Sequence, residues 1–325
     1  MYSSTKKIDI IEDDLNRIDR SLLKILLSDK TTKTNILWAT DDYSYIGYRF
    51  THSYEMLPEQ VTGDFTKLIQ PRVCKSKTKQ SDRTKNKAEV FTPSWVCNLQ
   101  NNLVDSAWFG YDNVFNFANN KNWEPTDLVL FPQNKKWNKY VDAQRLEISC
   151  GEAPYLVSRY DSVSGKPIEI ERRIGILDRK LRVVEENALD EDNWLKWAIR
   201  AVQSVYGYEF QGDNLLLARE NILFTFIDYY ERKFNKDPDV GILKKIANII
   251  AWNIFQMDGR TFQVPYPDAK IRSHQKMVDL ISEESNLEEN NFTKNQNNTI
   301  NYNCRVFDWR SNESIEFRAL VEDDG

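Results

Sequence analysis

Arg145-Leu-Glu-Ile-Ser-Cys-Gly-Glu-Ala-Pro-Tyr-Leu156 is the stretch on which the reading of this chain turns. A strand that ends on an acidic residue runs into a small Gly-containing turn and then into a helix start. Glycine permits the dihedrals that let such a turn approach a ligand closely. A helix N-terminus adds N–H donors suited to a carboxylate. This is the build of a cofactor-binding turn, although Gly151 alone stands where a dinucleotide fingerprint needs three glycines.

Two stretches downstream repeat the strand-then-helix pattern. Val205-Tyr-Gly-Tyr-Glu209 is an apolar strand ending on Glu209, and Asp213-Asn214 offers an N-cap for a long helix through Phe234. An acidic residue ending the second strand of a doubly wound sheet can accept hydrogen bonds from ribose hydroxyls. The plainer reading is a surface Glu beside a helix cap. Pro238-Asp239 opens a helix towards Phe255, followed by Met257-Asp258-Gly259. There Asp258 either receives the exocyclic amine of an adenine or closes a helix-ending turn.

Residues 8–30 carry Ile8, Ile11, Leu15, Ile18, Leu22 and Ile25 at helical spacing, which predicts an amphipathic helix packed on its own domain or on a second copy as a homodimer. Asn35–Thr40 reads as a buried strand turning at Asp41-Asp42-Tyr43. Helices are expected over 94–107 and 188–205, and irregular aromatic and Asn-rich chain over 108–140. A flexible acidic and Asn-rich segment is expected over 281–303, and strands in the tail, 304–309 and 314–321. Short strands between helices predict an α/β sandwich.

Composition narrows the chemistry. The chain has 325 residues, with 44 Lys and Arg against 49 Asp and Glu, a net charge of −5. No apolar run approaches the ~20 residues of a spanning helix, and the N-terminus lacks a signal-type apolar region. A soluble, cytoplasmic protein without a membrane partner is expected. His52 and His274 stand apart, and Cys74, Cys97, Cys150 and Cys304 form no CxxC pair, so no metal site is expected. No GxxxxGK[ST] occurs. Residues 67–87 are strongly basic, with Asp82 the single acidic residue, and read as solvated loop or as a phosphate-contacting segment through Lys75, Lys77, Lys79, Arg83, Lys85 and Lys87. Arg172, Arg173, Arg179 and Lys180 are further candidates.

Taken in order with Glu89-Val-Phe-Thr-Pro93, these elements resemble the amino-group DNA methyltransferases that use S-adenosylmethionine. The match is to the adenine-N6 type found as modification subunits of restriction systems, over roughly residues 85–260. The resemblance implies a three-layer Rossmann-like sheet in residues 86–325, with an insertion at 158–190, behind an N-terminal helical and basic extension of residues 1–85. The sheet is truncated after Trp309 unless that extension contributes strands. It implies that Phe91, Thr92 and Pro93 lie along the methionine part of the cofactor. Glu147, Cys150 and Gly151 form the floor and turn, Glu209 holds the ribose, and Asp258 sits by the adenine. DNA is the implied substrate, and a restriction or specificity subunit the implied partner. A cofactor cationic at sulfur suits the three acidic residues.

The sequence departs from the family at three places. Ala153, followed by Pro154, replaces a glycine; the gap from Gly151 to Glu209 is long; and no [Asn/Asp/Ser]-Pro-Pro-aromatic motif occurs. In the family that motif accepts hydrogen bonds from the target amine and stacks the flipped base. Asp308-Trp309, an acceptor and a ring after an apolar strand, takes the catalytic role in the family's order. Asp41-Asp42-Tyr43 fits a rearranged order. The alternative is a catalytically silent relative that keeps the fold as a DNA-binding or assembly module.

Overall fold

Three short strands set the frame: β3 (Arg145–Glu147), β4 (Val205–Glu209) and β5 (Ile254–Gln256). The computed structural model describes residues 8–10, 12–87, 92–267 and 302–322. The strands pair in parallel in chain order, with Glu147 opposite Gly207 and Glu209 opposite Gln256. Parallel neighbours need crossover connections. Here α6 (Ile176–Asn187) and α7 (Glu191–Gln203) join β3 to β4, and α8 (Gly212–Phe234) and α9 (Val240–Asn253) join β4 to β5. Glu147, Glu209 and Gln256 therefore end their strands at one edge of the sheet. The remaining strands are antiparallel hairpins, β1 (Asn116–Asn119) with β2 (Asn122–Pro125) and β6 (Arg305–Asp308) with β7 (Glu313–Glu316). The architecture is mixed α/β. No helix among the described residues is long and apolar enough to cross a membrane.

The helix expected over 8–30 is two helices, α1 (Glu12–Ile18) and α2 (Arg20–Leu27). Asp19 separates them: its extended backbone breaks the helix and its carboxylate caps the Ser21 N–H at 2.8 Å. Leu22, Leu23, Leu26 and Leu27 are wholly buried, and α2 packs on α9. Leu15, Trp38, Val61 and Ile69 share one core with Ile222 and Ile246. The N-terminal residues thus belong to the central core, the own-domain packing that the sequence offered beside a homodimer, with Ile18 and Ile25 half-buried against it.

Helix α8 is the axis of the molecule, buried at every residue from Gly212 to Tyr230. A cation in such a place must be fully bonded. Arg219 donates to the carbonyls of Ile254 at 2.7 Å, Ser28 at 2.9 Å and Ala251 at 3.2 Å, and to that of Leu26, which ties α2, α9 and β5 to α8. Burial lowers its pKa to about 10.

Within 158–190, residues 158–175 form a loop with a short 3-10 turn at Ile170–Arg172 that leads into α6, where a hairpin around 172–179 is the sequence expectation. Gly175 opens α6 where a Cβ would stand 2.4 Å from the Leu156 carbonyl, so only glycine fits. Three of the basic residues here are internal. Arg173 donates to Asp228 at 2.6 Å, Arg179 to Asp105 at 2.5 Å, and Lys180 to the Ser204 hydroxyl at 2.6 Å. Their charges are committed to the fold and do not face a phosphate. Arg172 stays near the surface, paired with Glu124 at 2.9 Å.

Helix α4 (Ser94–Phe109) exceeds its expected length by two residues, and 108–140 contains the β1–β2 hairpin and the short α5 (Trp137–Asp142). The tail after β7 is helical, α10 (Phe317–Glu322), where a continued strand is expected from its alternation. The expected flexible segment 281–303 falls, apart from Tyr302 and Asn303, outside the described residues.

Candidate functional site

A cavity of about 820 Å³ opens at the carboxyl ends of β3, β4 and β5. Its floor is the turn after β3. Ser149, Gly151 and Ala153 all have positive φ, at 49°, 54° and 62°, so the chain winds tightly back on β4. The Cys150 N–H donates to the Tyr208 carbonyl at 2.8 Å, and Ala153 to that of Cys150 at 2.7 Å. Wholly buried Ala153 holds a left-handed conformation that costs an L-residue about 1–2 kcal/mol. The helix expected to start here is absent: the next α-helix is α6, at Ile176.

The N–H groups of the turn instead serve two carboxyl groups. Glu147 accepts from Leu156 at 3.1 Å and Tyr155 at 3.3 Å. Glu209 accepts from Gly151 at 2.9 Å and Gln211 at 3.0 Å. Burial pushes the Glu147 carboxyl up to about 8, against the pull of its two backbone bonds. Burial also raises Glu209, again opposed by its backbone bonds. A cation in the cavity would favour the charged form of both.

Glu147, Cys150, Gly151, Glu209 and Thr92 all line this cavity. Thr92 is held by its carbonyl, which accepts from the Ser162 hydroxyl at 2.8 Å, and Pro93 starts α4. Phe91 lies outside the described residues. Met257 and Gly259 line the opposite wall. Between them the Asp258 carboxylate accepts from the Arg260 N–H at 2.8 Å, the turn-forming role that was the plainer reading of the sequence.

Asp308 and Trp309 are not brought to this cavity. The Trp309 indole donates to Asn253 at 2.7 Å, at the junction of α9 and β5, and the Tyr206 hydroxyl donates to the Phe307 carbonyl at 3.0 Å. Asp308 accepts from the Arg310 N–H at 3.0 Å and lines a separate apolar cavity of about 280 Å³ with Arg145 and Tyr206. These are residues of the amino-terminal end of the sheet, opposite Glu147 and Glu209.

Asp41 and Asp42 do line the large cavity. The segment that carries them is fastened by the Gln256 side chain, which pairs with both the N–H and the carbonyl of Leu37 at 2.8 Å, and by the Gly212 N–H, which donates to the Trp38 carbonyl at 2.9 Å. Asp41 pairs with His52, and Asp42 with Arg83 at 2.6 Å. His52, Tyr266 and Phe210 add rings to the wall, with centroids 4.6 Å apart for His52–Tyr266 and 5.7 Å for Phe210–Tyr266. Nothing local in the sequence marks His52, Phe210 or Tyr266 for a place in this wall.

Two of the expected phosphate contacts are internal. Arg83, on α3 (Lys77–Lys87), bonds Asp213 at 2.8 Å and Gln211 at 3.0 Å, and Lys75 reaches Asp213 at 3.3 Å. Burial would raise the Asp213 carboxyl, but Arg83 and then Lys75 hold it well below the usual range. Lys77 and Lys85 are exposed. The side chains of Lys79 and Lys87 lie outside the described part of the chain. Among the described residues no group of three or more His, Cys, Asp or Glu could hold a metal ion.

The chain matches no protein-family model, and neither a curated protein nor a solved structure matches it at a significant level.

Proposed function

We propose that the protein binds S-adenosylmethionine in the large cavity and methylates an exocyclic amine of DNA, as an adenine-N6 methyltransferase of the modification-subunit type. One observation carries the reading. Glu147 and Glu209 end adjacent parallel strands and flank the Gly151 turn on one cavity. Ligands of open α/β sheets bind at the carboxyl ends of the strands, and three parallel strands in chain order with helical crossovers support reading β3-β4-β5 as part of such a sheet. A volume of about 820 Å³ lies within the ~300–1,000 Å³ of small-molecule sites.

Two buried carboxyl groups whose charged forms burial disfavours are a fitting environment for a cationic ligand. Glu209 would hold the ribose, Gly151 and Glu147 the cofactor's centre, Thr92 its methionine end, and Met257 with Gly259 the adenine. When bound, the cofactor supplies an electrophilic methyl group on a sulfonium sulfur. Asp41 and Asp42 offer acceptors for a target amine, and Tyr266 and Phe210 offer rings for its base. The exposed Lys77 and Lys85 support DNA as the substrate, since Arg83 ties their helix to Asp42 of the cavity. A specificity or restriction subunit would be the partner of such an enzyme.

The test is transfer of labelled methyl groups from the cofactor to adenine-containing DNA by the full-length chain. Incorporation on adenine supports the reading. Cofactor and DNA binding without incorporation would instead favour the silent module, which the missing Pro-Pro motif also favours.

A further inference from the structure

Asp41 grips His52 at two points. The His52 ring Nδ1 lies 2.9 Å from one carboxylate oxygen of Asp41 and 3.1 Å from the other, and the His52 backbone N–H donates to the same carboxylate at 3.0 Å. The Ala39 N–H donates to the His52 carbonyl at 3.0 Å, so the backbone holds the two segments in register. The Tyr266 ring packs against the imidazole, and all three side chains line the cavity of Glu147 and Glu209.

A carboxylate on Nδ1 keeps the ring proton there and leaves the lone pair on Nε2. We infer that His52 is the proton acceptor of this site, with Asp41 its positioning residue, and that the proton comes from the substrate's exocyclic amine. This use of the pair rests on the methyl-transfer reading. An amine nitrogen that takes a methyl group as its fourth bond, for which the methyl–sulfur bond of the sulfonium would break with its pair left on sulfur, becomes cationic and must lose a proton. The N–H bond breaks, its electron pair stays on nitrogen, and the proton bonds to Nε2. The imidazolium so formed lies against Asp41. Among the described residues, the charged and titratable groups around the ring are Asp41 on Nδ1, Tyr266 on its face and Asp42 in the same turn. Asp42 is paired with Arg83. Tyr266, which burial, Asp41 and Asp258 push up, stays neutral and does not compete.

The chain has two histidines, so ¹⁵N-histidine NMR of the full-length protein reads the tautomer directly, with His52→Gln assigning the signal. The expected result is the Nδ1–H form at His52, lost to the Nε2–H form in Asp41→Asn. An Nε2–H form in the wild type overturns the arrangement. In methyl-transfer assays His52→Gln should lower kcat by about 10²–10⁴-fold and remove the rise of kcat with pH, with cofactor Kd unchanged. An active wild type whose His52→Gln variant keeps its kcat and pH profile overturns the proton-accepting role. A wild type that binds no cofactor overturns the methyl-transfer reading instead, and the NMR result separates the two failures.

Discussion

The Glu209 carboxylate accepts a hydrogen bond from the Gly151 N–H at 2.9 Å and so joins the end of β4 to the turn that follows β3. Two motifs 58 positions apart in sequence become one wall of the cavity through this contact. The other walls depend on parts of the chain that must be brought from farther away.

The Asp41 segment is seated through a close backbone approach. A Cβ on Gly212 would stand 2.1 Å from the Leu37 carbonyl and 2.7 Å from the Met56 sulfur. Gly212→Ala must displace residues 37–43, at a cost of about 1–3 kcal/mol typical of overpacking. Thermal denaturation should show a lowered Tm, and an unchanged Tm would mean that the segment sits elsewhere.

The basic segment divides into structural and free charges. Arg83→Ala removes the closer of the two cations on buried Asp213, leaving Lys75 at 3.3 Å, and should cost up to about 3–5 kcal/mol of stability. Lys77→Ala and Lys85→Ala should leave stability unchanged. If these lysines touch phosphates, each replacement should weaken DNA binding and reduce the slope of log K against log salt by about 0.9. Denaturant melts and salt-dependent binding isotherms separate the two classes.

Glu220 gives the stability a pH dependence of known sign. It is wholly buried, and neither carboxyl oxygen finds a hydrogen-bond partner. Burial and then Asp9 push it well above the usual carboxyl range, with Arg159 opposing, and Glu12 is raised in the same way by burial and then Glu220. The folded state therefore holds this proton more tightly than the unfolded one. The contribution is fully present below the unfolded value of ~4.3 and is lost as pH rises through the raised folded value. Relative to wild type, Glu220→Gln should gain stability as pH rises above the unfolded carboxyl value. Parallel Tm-versus-pH curves for the two proteins would contradict this.

Replacement of Asp308 tests which end of the sheet is active. Asp308 lies at the amino-terminal end, with its carboxylate on the Arg310 N–H. Asp308→Ala should leave methyl transfer and cofactor affinity at wild-type levels, whereas Asp42→Ala should impair transfer. Loss of transfer in Asp308→Ala alone would move the active site away from the large cavity.

Much of the frame is legible in the linear sequence. Apolar runs ending in Glu147 and Glu209 mark two of the three parallel strands, and α7, α8 and α9 fall close to their periodic patterns. What is not legible is set by contacts remote in sequence. Leu37 docks through the side chain of Gln256, 219 positions away, an amide imitating a strand partner. Arg83 looks like one more exposed cation in a basic run, yet Asp213, 130 positions away, draws it inside. Asp308-Trp309 follows a strand, as a catalytic motif should. That strand, however, belongs to the antiparallel β6–β7 hairpin, and local pattern carries no information about which end of the parallel sheet it meets.

Calorimetric titration of the full-length chain with S-adenosylmethionine, wild type beside Glu209→Ala, tests the central claim most directly. The wild type should bind, and the variant should bind about 10–100-fold more weakly, the loss of a charge-assisted acceptor worth about 1.5–3 kcal/mol. No heat of binding for the wild type at millimolar cofactor, or equal affinity in the two proteins, would contradict the account.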